Sequence, residues 1–132
     1  MGNTKEKEKT ILCFGSYSEG DTLAFEIYDS LKGCVDGKNL VKCKSPFELA
    51  EHLEKEDVII LDVVKGIEKI RIFDSVEEFK KTQTVTIHDL DLGFFIKLLE
   101  NMKDSSFRII GIPFGKKIGE VLEDVRNLIS SI

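Results

Sequence analysis

The chain has 132 residues, of which 42% are hydrophobic and 33% charged; this fits one domain with one core and an ordinary globular composition. Its net charge of -5 argues against a nucleic-acid partner, because neutralising phosphates needs a concentrated basic surface. No apolar run approaches the roughly 18 residues that span a bilayer, so no membrane partner is expected.

Residues 1–9, "MGNTKEKEK", are polar and charged and read as a disordered tail. They lack the apolar core of a signal peptide, and Glu6 stands where a myristoylation signal wants Ser or Thr. Cys13, Cys34 and Cys43 are odd in number and form no CxxC pair, which suits a reduced, cytoplasmic setting. A single α/β domain is expected over 10–132.

"TILCFG" (10–15) is a nearly continuous apolar run ending in Gly15, as in a strand covered on both faces. Cys13 within it reads as a small core residue. From Asp21 the apolar positions Leu23, Ala24, Ile27, Tyr28 and Leu31 form a helical stripe. Asp21 can cap that helix, and Gly33 ends it. "NLVKCK" (39–44) alternates, as a more exposed strand does. "SPFELAEHLEKED" (45–57) opens with Ser45 as an N-cap and Pro46 at the first helical position.

"DVIILDVV" (57–64) is the most strand-like segment, with Asp62 inside the apolar run; a buried strand is predicted over 58–62. "EKIRIFDS" (68–75) alternates like an edge strand, and "SVEEFKK" (75–81) carries a Ser-x-x-Glu capping box. "TVTIHDLDLGFFIKLLENM" (84–102) passes from a short extended piece into a helix near 90–103. "SFRIIGIPFG" (106–115) is a further buried strand. In 116–132, Ile118, Val121, Leu122, Val125, Leu128 and Ile129 lie on one helical face.

Strands alternate with helices, which predicts a three-layer α/β/α sandwich around a mostly parallel, roughly five-stranded sheet. Ligands of such sheets bind beyond the carboxyl ends of the strands. Asp21 follows the first strand, Asp62 is expected to end the third, and His88 and Asp89 precede the helix near 90. A carboxylate in a buried strand is costly unless paired, hydrogen-bonded or metal-bound; Asp62 reads either as a loop or capping carboxylate or as a metal ligand or catalytic acid. Asp89 can cap its helix, and His52 reads as solvent-facing. Two carboxylates and an imidazole form a plausible set for a divalent transition metal. There is no G-x-S-x-G elbow and no P-loop. "GIPFGKKIG" could attract an anion at a helix start or present a solvated basic face.

"ILCFGSYSEGDTLAFEIYDSL", "VIILDVVKG" and "TIHDLDLGFFIKLLE", in this order and spacing, resemble the motifs of the hydrogenase maturation endopeptidases. Gly15 takes the place of that family's first-motif Gly, Ser16 that of its Asn, and Asp21 that of its first acid. Thr22 stands where a second acid serves as a ligand, and Phe25 where Gly is usual. The resemblance runs from about residue 10 to 130.

It implies removal of a C-terminal peptide from a nickel-loaded [NiFe] hydrogenase large-subunit precursor. Asp21, Asp62 and His88 would serve as catalytic and metal-binding residues, with Glu19 a substitute ligand for Asp21. The resemblance implies no intrinsic cofactor: the nickel belongs to the substrate, and Zn or Cd would suit the same donors in vitro. A monomer is expected. Two other readings stay open: a divergent, non-proteolytic relative that binds the metal centre or precursor tail as a chaperone, and an unrelated α/β domain with structural acids.

Overall fold

A computed structural model describes residues 9–15, 22–52, 58–75, 78–79, 85–86 and 107–132. In chain order the elements are β1 (Lys9–Phe14), α1 (Leu23–Leu31), β2 (Lys38–Cys43), α2 (Pro46–His52), β3 (Val58–Lys65), β4 (Arg71–Phe73), β5 (Val85–Thr86), β6 (Phe107–Pro113) and α3 (Ile118–Ser131). The main sheet runs β2-β1-β3-β6-β4, and β5 pairs with β3 off this path. β1 pairs in parallel with β2 and β3, as does β3 with β6; β4 and β5 are antiparallel. This is the expected mostly parallel α/β architecture. The three apolar runs are its interior strands, and the two alternating segments are the edges of its main path.

Alternation along the strands sorts their side chains into two layers. Ile11, Cys13, Ile59, Leu61, Val63, Ile110 and Ile112 face α1 and α3, which add Leu23, Ala24, Ile27, Leu31, Val121, Val125 and Ile129. Leu12, Phe14, Val58, Ile60, Val64 and Ile109 form the other layer, with Leu49 of α2 and with Phe73 and Phe79. The predicted face of α3 is the one buried, with Ile118, Leu122 and Leu128 at its margins. Burial also pushes the Cys13 thiol up from its ordinary range, with the neighbouring Cys43 a lesser cause, which fits the core role expected of Cys13.

Local chemistry sets the element ends. Ser45 Oγ accepts from the Glu48 N–H at 3.3 Å, and the Glu48 carboxylate accepts from the Lys44 N–H at 2.7 Å. Ser75 and Glu78 repeat the device: Ser75 Oγ accepts from the Glu78 N–H at 3.1 Å, and Glu78 accepts from the Asp74 N–H at 3.2 Å. At α1 the residue in the cap position is Thr22, not Asp21. β3 also departs from expectation. It runs on to Lys65, so Asp62 lies inside the strand and does not end it. The reason is that β6 pairs with β3 as far as Val64 and β5 pairs with Val64 and Lys65. β1 begins at Lys9, one residue before the expected domain boundary. The predicted helix near 90 lies outside the described residues. No described helix is long and apolar enough to cross a membrane.

Gly111 is the tightest point of this packing. A Cβ there would meet Phe73 Cε2 at 3.0 Å, Ile67 Cδ1 at 3.1 Å and Val64 Cγ2 at 3.2 Å. The Phe73 ring is itself confined, edge-to-face on Phe79 at 5.2 Å and under the Arg71 guanidinium at 4.8 Å. Arg71 in turn pairs with Glu78 at 3.1 Å, which holds the Glu78 carboxyl below its usual range. Gly111→Ala therefore overpacks the layer. A loss of about 1–3 kcal/mol is expected in urea unfolding; an unchanged midpoint would show that Phe73 is free to move.

Candidate active site at the strand switch

The winding of the sheet fixes where a site can form. The chain leaves β1 outward to β2, then crosses back over β1 to β3; it next forms β4 at the far edge and β5 beside β3, and β6 fills the place between β3 and β4. Right-handed crossovers in opposite directions put α1 and α2 on opposite faces, as observed. Between β1 and β3 the winding therefore reverses. A crevice opens at such a point, outside the carboxyl ends of the strands.

Asp62 stands at that point. The last residue of β1, Phe14, is paired with Asp62, and beyond it β1 no longer accompanies β3. Gly15 turns away, its N–H donating to the Cys43 carbonyl at 3.0 Å. Val64 is already paired with Pro113 of β6 on one side, so β5 takes the side that β1 has vacated. Register places Cys43, Phe14, Asp62, Gly111 and Arg71 in one row across the sheet. The Asp62 side chain thus belongs to the α2 face. It is fully buried, and its two flanking positions are the Phe14 ring and the bare Cα of Gly111. A carboxylate held there is expensive to desolvate, and its position at the switch makes it a candidate ligand or catalytic acid.

The other proposed site residues, Glu19, Asp21 and His88, lie outside the described residues, as does Asp89. Among the described residues, no group of three or more His, Cys, Asp or Glu side chains is placed to hold a metal ion. Thr22, where the resemblance expects an acid, is described. Its hydroxyl donates to Glu26 Oε2 at 3.2 Å, so a carboxylate stands one helical turn further on. Thr22 and Glu26 line a hollow of about 230 Å³ together with Leu23, Val63, Phe114, Gly115 and Lys116. Val63 follows Asp62 on the opposite face of β3, so this hollow opens at the same edge of the sheet. Phe114, 46% exposed, carries the Lys65 ammonium 4.9 Å from its ring centre.

The sequence reading misses Glu26, although its spacing of four from Thr22 on a helix is a usable signal. Lys116 reads in the sequence only as part of a basic stretch. His52 is half-buried, not fully solvent-facing.

No protein-family model matches the sequence, and no curated protein sequence matches it. Solved structures do. The [NiFe] hydrogenase maturation protease HybD from Thermococcus kodakarensis superposes with a TM-score of 0.67 over 94% of this chain and 97% of its own, at 18% identity. The chain has the fold of this maturation protease. An uncharacterised protein from Wolinella succinogenes superposes on this chain with a TM-score of 0.58, 16% identity and coverage of 94% and 98%.

Asp62→Asn separates a functional carboxylate from a structural one. Asn keeps the shape and removes the charge whose burial opposes folding. The expected result is a change in unfolding free energy below about 1 kcal/mol, or a gain, as at sites where function strains stability. A loss of about 3 kcal/mol or more, as when a buried ion pair is broken, would make Asp62 a structural residue.

Proposed function

We propose that the chain is a processing endopeptidase that removes the C-terminal peptide of a nickel-loaded [NiFe] hydrogenase large-subunit precursor. The observation that carries this reading is Asp62, the carboxylate of the middle motif, buried at the reversal of a sheet with the maturation-protease fold. In this reading the metal arrives with the substrate. Asp62 and His88 bind it, with Asp21 or Glu19 as a third donor; neutral imidazole and carboxylates are suitable donors for nickel. His88 follows Thr86 by two residues, and Thr86 pairs with Val64, itself two residues beyond Asp62. Two residues of extended chain span about 7 Å, so connectivity allows His88 to reach the same crevice. A metal held by these residues would supply polarisation of the scissile carbonyl and activation of water for hydrolysis.

One observation favours a second reading, a non-proteolytic relative that holds the metal centre or precursor tail. Thr22 supplies a neutral hydroxyl where the resemblance expects an acid, and that hydroxyl is engaged by Glu26.

Incubation of the purified chain with nickel-loaded precursor, followed by mass spectrometry, distinguishes the two. The peptidase releases the C-terminal peptide, and Asp62→Asn stops the release; binding without release favours the second reading. Calorimetric titration with Ni²⁺ is expected to show tighter binding in Thr22→Asp. Loss of a ligand in His88→Ala should weaken binding by at least the roughly 10–100-fold that removing an outer-shell partner costs. Affinity should fall as pH is lowered and His88 protonates, because only neutral imidazole coordinates. Binding by His88→Ala equal to that of the parent chain would remove the metal role.

A further inference from the structure

A second hollow, of about 630 Å³, lies between α3 and the segment leading into β4. Its apolar lining comes from Ile70, Pro113, Val121 and Leu128, and its acids, Glu68, Glu120 and Asp124, come from both walls. Lys69 and Lys116 are the other charged groups lining it. Lys116 also lines the smaller hollow beside Thr22 and Glu26, so the two meet at one side chain. The volume is within the range of about 300–1,000 Å³ typical of ligand sites.

We propose that this larger hollow receives an extended peptide segment in which basic and apolar side chains alternate. An extended chain sends successive side chains to opposite sides. The apolar residues are buried or half-buried and the acids exposed, so side chains turned inward rest on Ile70, Val121 and Leu128 while those turned outward meet Glu68, Glu120 and Asp124 at the rims of both walls. Among the described residues, carboxylates outnumber ammonium groups three to two around the hollow, so a basic segment is favoured over an acidic one. Glu120 is fixed by a second task, accepting the Lys117 N–H at 2.9 Å; Glu68 and Asp124 carry the selectivity. The inference rests on the peptidase reading, in which the segment belongs to the precursor and passes Lys116 toward the crevice at Asp62. This places a binding surface on the α3 face, away from the Asp62 side chain, so affinity for the substrate and chemistry on it are set by separate residues.

The probe is a fluorescein-labelled decapeptide of alternating Lys and Leu, with alternating Glu and Leu as its counterpart, followed by fluorescence anisotropy on the full chain. The double variant Glu68→Lys/Asp124→Lys reverses the proposed site. Glu51→Lys/Asp36→Lys makes the same change in net charge at exposed positions elsewhere. The expected result is binding of the basic peptide only, weakened tenfold or more by the first pair and by much less in the second. Equal weakening by both pairs would overturn the proposal, as would equal binding of the acidic peptide or no binding of either. Precursor trimming on the same proteins distinguishes the two claims. Site-specific peptide binding without trimming leaves the hollow standing and defeats the peptidase reading. Trimming whose KM is unmoved by Glu68→Lys/Asp124→Lys overturns the hollow and leaves the peptidase.

Discussion

Everything about the site follows from the pairing of Phe14 with Asp62. It marks the place where β1 stops, where the winding of the sheet reverses and where a carboxylate is carried into an apolar layer. A reversal leaves a crevice because two consecutive loops depart in opposite directions. The interior strands hold the row of Phe14 and Asp62 in place. β3 is held by β1 and β6 over most of its length and by β5 at its end, so Asp62 is positioned by ladders on both sides. A site on such a strand is held more firmly than one on a loop.

Gly111 and Phe73 complete this arrangement from the other side. The missing side chain at Gly111 lets the Phe73 ring come close to the row that holds Asp62. Arg71 and Phe79 keep that ring in place. The result is an apolar flank to the row on the Gly111 side, with Phe14 beside Asp62 on the other. Such surroundings strengthen any interaction the carboxylate makes with a cation, because less water competes for it. The same surroundings make an unmatched charge costly, which links the chemistry of this position to its effect on stability.

Much of the fold is legible in the sequence. β1, β3 and β6 are buried on both faces and read as continuous apolar runs; β2 and β4 lie at the sheet edges and alternate. The 3.6-residue period of α3 singles out Val121, Val125 and Ile129. Expectation and structure part where one residue is read without its neighbours in space. The charge of Asp62 suggests a strand end, but Val63 and Val64 continue the strand, and β5 and β6 supply their partners. Asp21 is the stronger capping type, but helical hydrogen bonding begins with Thr22, whose carbonyl accepts from the Glu26 N–H. Asp62 is readable as a candidate site residue because a carboxylate adds nothing to the packing of a β-branched run and is costly to desolvate there. Glu26, Phe114 and Lys116 are not readable in this way, because the hollow they share is made by segments about 90 residues apart in the chain.

The central claim is that Asp62 and His88 share one cation at the strand switch. The most direct measurement is anomalous diffraction from crystals soaked in Cd²⁺ or Ni²⁺, ions that accept carboxylate and imidazole ligands. The account predicts a single strong anomalous peak within coordination distance of the Asp62 carboxylate and a His88 ring nitrogen, lost in crystals of Asp62→Asn. Well-ordered crystals with metal bound only at surface residues, or with Asp62 and His88 on opposite faces of the sheet, would contradict it.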